Sequence, residues 1–157
     1  MDLTGQRIAV TGGAGFVGSH LVEGLLPDND VVVIDDFSNA KREWVAYGAE
    51  VVEGDLTESD VAARGIDSDV DLVFHLAANK DAAADDVEQY RFNNRLTETV
   101  LERMDDVGVD KIAFTSSSTV YGEAPRPTPE DFAPLEPISI YGASKLGGEA
   151  LISVYAH

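Results

Sequence analysis

No cysteine occurs in the 157 residues of this chain, which excludes disulfides, thiol nucleophiles and cysteine-ligated metal sites. No apolar run approaches the roughly 20 residues needed to cross a bilayer. A basic N-terminal segment leading into an apolar stretch is also missing, so no signal peptide is expected and the cytoplasm is the expected location. Basic residues are scarce: 11 Lys and Arg stand against 29 Asp and Glu, for a formal net charge of −18. A chain this acidic, with no basic stripe, does not suit nucleic acid, whose phosphates are held by arginine and lysine. The histidines, His20, His75 and His157, are scattered and show no metal-ligand spacing, so no metal is expected.

What is present describes a globular protein. Hydrophobic residues make up 44% of the chain, enough for a core, and the length suits one domain over residues 1–157. The acids are dispersed, in pairs such as Asp67 and Asp69, Asp85-Asp86, Asp105-Asp106 and Glu130-Asp131. Dispersal favours a solvated, salt-tolerant (halophilic) acidic surface over a single patch for a basic partner, because screening relieves the self-repulsion.

Short β-rich runs alternate with segments of helical apolar spacing. Arg7–Val10, Val31–Ile34, Glu50–Glu53, Leu72–His75 and Lys111–Thr115 read as buried strands. Phe16–Leu26, Glu58–Arg64, Val87–Met104 and Ile140–Tyr155 read as helices, and Gly122–Pro137 as a proline-rich loop. The alternation predicts an α/β fold, a Rossmann-type doubly wound parallel sheet of strand order 3-2-1-4-5 with its switch point between strands 1 and 4.

Four glycines, Gly12, Gly13, Gly15 and Gly18, crowd seven positions directly after the first strand and open the first helix. In that context Gly-x-Gly-x-x-Gly permits a tight turn, close approach of backbone to a pyrophosphate, and helix amides aimed at its charge. A tight strand–helix turn without a ligand would use the same residues. The deciding feature is Asp35-Asp36, just past the end of the second strand and 22 residues after Gly13. A carboxylate there accepts from both ribose hydroxyls of an adenosine and repels a 2′-phosphate, which favours NAD over NADP; Lys41 and Arg42 follow and would soften that choice.

Tyr141 and Lys145 lie four apart and share a helix face. An ammonium beside a phenol favours the phenolate, so the Tyr141 pKa is expected to fall and the phenol to serve as proton donor and acceptor. An ordinary surface Tyr/Lys pair has the same spacing. Thr115-Ser116-Ser117-Ser118-Thr119 follows the fifth strand, placing hydroxyls at the carboxyl end of the sheet, where open α/β sheets bind ligands.

Taken in order, Thr11–His20, Val33–Arg42, Glu53–Leu56, His75–Ala78, Thr115–Gly122 and Tyr141–Lys145 resemble the extended short-chain dehydrogenase/reductase family, specifically its NAD-dependent nucleotide-sugar epimerases and dehydratases. Positions 118 and 119, where dehydratases usually carry an Asp-Glu pair, are Ser118 and Thr119 here, so the resemblance is to the 4-epimerase branch, whose substrates are UDP-hexoses. It implies that Gly12, Gly15, Phe16, Val17 and Gly18 hold the pyrophosphate of NAD. Asp35, helped by Asp36 and Asn39, holds the adenosine ribose, and Asp55 and Leu56 flank the adenine. Leu76, Ala77, Ala78 and Lys80 line the cofactor's middle, and Asn93 closes that wall. It makes Ser117, Tyr141 and Lys145 the catalytic set: Ser117 on the sugar hydroxyl, Tyr141 exchanging its proton, and Lys145 on the nicotinamide ribose and beside Tyr141. A NAD-binding module without turnover, or another reductase or dehydratase of the family, are the competing readings.

Two departures carry expectations of their own. The family usually continues Asn-Val-x-Gly-Thr after Asn93, whereas this chain reads Asn94-Arg95-Leu96-Thr97-Glu98, which predicts loosened helix packing there. Family members also extend well beyond Tyr-x-x-x-Lys into a smaller domain that grips the nucleotide sugar, and this chain ends at His157, so that grip is expected to be absent. Family members commonly dimerise through the helices matching 87–104 and 140–155, and Leu146, Ala150, Leu151 and Val154 would supply the apolar stripe.

Overall fold

Strand β1, Arg7–Thr11, takes the middle of the sheet, buried on both faces from Ile8 to Thr11. The computed structural model describes residues 3–81 and 86–157; Asp85 of the acidic pair lies outside them. With β2 (Asp30–Asp35), β3 (Glu50–Glu53), β4 (Leu72–His75) and β5 (Ile112–Phe114), β1 forms one parallel sheet of order β3-β2-β1-β4-β5. This is the expected order. The described residues fall into two compact units, one of 3–78 and 99–115, the other of 79–81, 86–98 and 116–157.

In the first unit the pleat sends alternate side chains to opposite faces. Ile8, Val10, Val31 and Val33 meet Val22 and Leu25 of helix α1 (Phe16–Leu25) in one core layer. Ile34, in the alternate set, is covered by α2 (Ser59–Gly65), where a Cβ at Gly65 would strike the isoleucine side chain. Helices on both faces make the sheet doubly wound. Helix α3 (Val87–Val107) runs three residues beyond the expected end. It stops where Gly108, at φ +78°, lets Gly108 N–H donate to the Asp105 carbonyl (3.3 Å) and Val109 N–H to the Met104 carbonyl (2.9 Å), a Schellman cap.

The second unit is organised by α4 (Ile140–Tyr155), whose bounds are those expected. Ser139 caps it, its hydroxyl accepting from Gly142 N–H at 3.0 Å. A Cβ at Gly142 would lie 2.8 Å from the Thr119 carbonyl, so α4 rests directly on the 3₁₀ turn Ser118–Tyr121. Where α3 and α4 approach, the close-packing glycine is on α4. A Cβ at Gly147 would lie 2.7 Å from Asn94 Oδ1 and 3.3 Å from the Tyr90 hydroxyl. Thr97 itself is buried and donates to the Asn93 carbonyl at 3.3 Å.

Candidate functional site

In the first unit the predicted residues gather at the carboxyl ends of four adjacent strands. Gly12, after β1, adopts φ +67° and donates its N–H to the Ile34 carbonyl at 2.8 Å. A Cβ there would sit 2.8 Å from Ala77 N, and one at Gly18 would run into the Gly12 carbonyl oxygen. Gly15 is the N-cap of α1 and no side chain caps that end, so the first-turn amides, those of Phe16, Val17 and Gly18, face outward from the helix start. The Phe16 and Val17 side chains are exposed. Leu76 and Ala77 follow β4 and are tied to Thr11: Leu76 N–H donates to its carbonyl at 3.1 Å and Ala77 N–H to its hydroxyl at 3.2 Å. Ala78 is half-buried beside them in sequence. His75 is buried with Nδ1 2.7 Å from Thr11 Oγ1 and stacks on Phe114, a structural histidine.

Asp35 is the last residue of β2 rather than a residue beyond it. Its Oδ2 accepts from Ala14 N–H at 3.0 Å and its Oδ1 from Phe37 N–H at 2.9 Å. Both oxygens are thereby oriented, and each retains accepting capacity. Burial holds the carboxyl above the usual aspartate range; the two N–H bonds pull it down, and the charge of Asp36 pushes it up again. Asp36 is exposed, and its Oδ1 accepts from the N–H and hydroxyl of Ser38 (2.9 and 2.7 Å), while Asn39 reaches only Ser38 at 3.4 Å. These two shape the turn after β2. Asp55 shapes the one after β3, accepting at Oδ1 from Thr57 N–H and hydroxyl, both at 2.8 Å, above buried Leu56.

The second unit brings together Asn93, Ser117, Tyr141 and Lys145. Asn93 is buried; its Oδ1 accepts from Asn79 N–H at 2.8 Å, and its Nδ2 donates to the Asn79 carbonyl and to Ser144 Oγ, both at 3.0 Å. Ser144 passes its own hydroxyl to the Tyr141 carbonyl at 2.8 Å. Gln89, one turn before Asn93, holds the Asn79 and Asp81 carbonyls at 3.3 and 2.8 Å. Lys80, between them, is exposed. Ser117 Oγ accepts from Thr119 N–H at 3.2 Å and from the Thr119 hydroxyl at 2.8 Å, capping the 3₁₀ turn on which α4 rests. Its own proton remains available for donation.

Lys145 is buried, with Nζ 5.8 Å from the centroid of the Tyr141 ring. Burial lowers its pKa from 10.5 to about 8. Burial pushes the Tyr141 phenol up, opposite to the depression expected from a neighbouring ammonium. At 5.8 Å from the ring, with Lys145 buried and Tyr141 half-buried, desolvation outweighs attraction. Glu149 continues the Tyr141–Lys145 helix face and accepts from the Ser116 hydroxyl. Of the proposed apolar stripe, Leu146 and Leu151 are half-buried, while Ala150 and Val154 are exposed.

Ala14, Asn79, Gln89 and Ser144 were not among the expected site residues. Only Gln89 and Asn93 left a signal, two amides one helical turn apart. Among the described residues no cluster of His, Asp or Glu could hold a metal, and no helix is long and apolar enough to cross a membrane.

The model of the NAD dependent epimerase/dehydratase family matches residues 8–157. The chain belongs to that family. A putative UDP-glucose 4-epimerase of Methanocaldococcus jannaschii is 36% identical over 153 residues, covering 94% of this chain and 50% of the relative. A solved UDP-galactose 4-epimerase superposes with a TM-score of 0.87 at 44% identity, covering 95% of this chain and 51% of that one. The UDP-glucose 4-epimerase of Thermus thermophilus, solved in complex with NAD, gives 0.85 at 36% identity, with 95% and 50% covered. The chain thus spans about half the length of the curated relatives it matches.

Proposed function

We propose that residues 1–157 are one NAD-binding domain of a 4-epimerase that interconverts UDP-glucose and UDP-galactose. The observation that carries this reading is the hydrogen bond from Ala14 N–H to Asp35 Oδ2, which sets the glycine turn and the ribose-accepting carboxylate in one register. The residues fit the cofactor. Gly12, Gly13 and Gly18 leave no room for side chains, and the uncapped start of α1, at Gly15 to Gly18, favours phosphate charge. Asp35 then takes the adenosine ribose with Asp36 and Asn39 shaping its turn, and Asp55 and Leu56 border the adenine. Leu76, Ala77, Ala78 and Lys80 run along the middle, and Asn93 holds that segment in place through Asn79.

NAD, when bound, supplies the hydride acceptor and return donor for the sugar's C4. The chain manages the proton. Tyr141 takes it from the C4 hydroxyl and gives it back, Ser117 donates its free O–H to the sugar oxygen, and Lys145 holds the nicotinamide ribose. The rise in the Tyr141 pKa favours a second reading, binding without turnover, because a phenol held protonated is a poor base. The acidic, salt-tolerant surface, a cytoplasmic location and a homodimer through helices 87–104 and 140–155 complete the proposal.

Conversion of UDP-galactose to UDP-glucose, with added NAD at low and at molar salt, tests it beside Tyr141→Phe. Epimerisation that the variant loses by at least about a hundredfold supports the enzyme. NAD binding without conversion by either form selects the binding module, and no NAD binding refutes both.

A further inference from the structure

Two cations follow the ribose-binding turn, and the structure shows both already engaged. Lys41 Nζ lies 3.7 Å from Glu43 and 5.8 Å from the centroid of the Trp44 ring. Arg42 donates from Nη1 to Glu53 Oε2 at 2.7 Å, and its guanidinium lies 5.7 Å from the centroid of the Phe37 ring. Phe37 is the one non-glycine residue given a positive φ among the described residues, +55°, with its N–H on Asp35 Oδ1. The ring that shelves Arg42 is thus set by the same carboxylate that faces the ribose.

Glu53 is not distant from that carboxylate either. In the β2–β3 ladder Asp35 is the register partner of Glu53. Partnered residues of parallel strands project to the same face, one strand spacing apart, about 4.8 Å. The last residues of β2 and β3 therefore present two carboxylates side by side at the carboxyl edge of the sheet, with Arg42 committed to the outer one. A 2′-phosphate on the adenosine ribose would meet Asp35 directly, Glu53 behind it, and a guanidinium whose charge is already matched.

We infer that Glu53 is a specificity-determining residue for the dinucleotide, excluding the 2′-phosphorylated form by holding Arg42 as well as by its own charge. The inference rests on the proposed binding of NAD at Asp35. Glu53 touches no part of the cofactor; it acts through Arg42 and through its own charge beside Asp35, as a positioning residue. Both partners are largely exposed, at 63% and 60% of the side chain, so the pair itself adds little to stability. Its weight lies in which charges an incoming phosphate finds.

Isothermal titration calorimetry with NAD and with NADP, on the full chain, tests this in four proteins: unsubstituted, Glu53→Gln, Arg42→Gln and the double variant. In Glu53→Gln the freed guanidinium and the lost carboxylate are expected to lower the NADP-to-NAD ratio of Kd about tenfold at low salt. The NAD Kd itself should stay within about threefold, since Asp35 is untouched. Adding Arg42→Gln should remove most of that gain, and raising the salt to molar concentration should shrink it, as expected of a charge effect at an exposed site. Circular dichroism identifies any variant that fails to fold, and Glu53→Asp, which keeps the charge, should retain the original ratio. If Glu53→Gln binds NAD normally and its ratio changes by less than about twofold, Asp35 alone sets the choice and the inference is overturned. A tenfold gain that survives in the double variant overturns the role of Arg42. If no protein in the series binds NAD, the underlying cofactor reading falls and takes this inference with it.

Discussion

Helix α1 contains two glycines whose replacement by alanine should have opposite effects. At Gly18 an added Cβ runs into the Gly12 carbonyl oxygen and lies 2.7 Å from Gly13 Cα and 2.9 Å from Gly13 C. All three are backbone atoms, so no side chain can swing away, and the turn after β1 or the start of α1 must shift. Overpacking of this kind costs about 1–3 kcal/mol. At Gly24, near the other end of the helix, an added Cβ meets nothing within 4 Å, and alanine should instead gain up to about 1 kcal/mol from helix propensity. The same chemical change in one helix should therefore split by about 1–4 kcal/mol. For a chain of this size each kcal/mol moves Tm by about 2–4 °C, so Gly18→Ala should melt below and Gly24→Ala above the unsubstituted protein. Urea unfolding followed by far-UV circular dichroism measures both, with an unchanged m-value showing that the change lies in stability. A Gly18→Ala protein as stable as Gly24→Ala would refute the close turn, and with it the argument that the loop exists to bring backbone near a phosphate.

Two further predictions concern the second unit. Burial lowers the Lys145 pKa from 10.5 to about 8, so between those values the unfolded chain carries a proton that the folded chain has released, and stability should rise with pH across that window. Lys145→Met should flatten the rise; urea unfolding at about pH 7.5 and 9.5 reads the effect, and equal slopes in the two proteins would refute the assignment. Asn93→Ala should leave the Asn79 N–H without its partner at a cost of about 1–3 kcal/mol. Hydrogen exchange at the Asn79 amide should accelerate, whereas protection equal to that of the unsubstituted chain would mean that Gln89 alone holds the segment.

The sheet was legible because its signals are local. Two to four apolar residues flanked by polar or turn residues mark each strand, and Ser139 marks the start of α4 by a rule that operates within one turn, whereas apolar spacing alone ends α3 at Met104, three residues short of the end that Gly108 sets. The contact between the glycine turn and Asp35 was legible for a related reason: they are separated by a fixed supersecondary unit, so spacing along the chain stands in for distance in space. The clamp on Asn79 had no such shorthand. Asn93 meets Asn79 across 14 residues and Ser144 across 51, and no periodicity links those positions. The close approach of Gly147 on α4 to Asn94 had no shorthand either, because it depends on the gap between two helices, at residues 53 apart in the chain.

Charge was the property read least well from composition alone. Counting residues makes Lys41 and Arg42 two cations beside the proposed ribose site and makes Lys145 a cation that should acidify Tyr141. In the fold, Glu43 and Glu53 have already claimed the first two, and burial turns the third into an amine reluctant to be charged, with a phenol beside it reluctant to ionise. Both outcomes follow from the same physics: a side chain's charge is available only to the extent that water, or a partner, has not settled it first. Around Tyr141 the settling agent is desolvation. Around Arg42 it is an opposite charge supplied by the neighbouring strand, whose identity depends on the Asp35–Glu53 register and on nothing within four residues of the arginine.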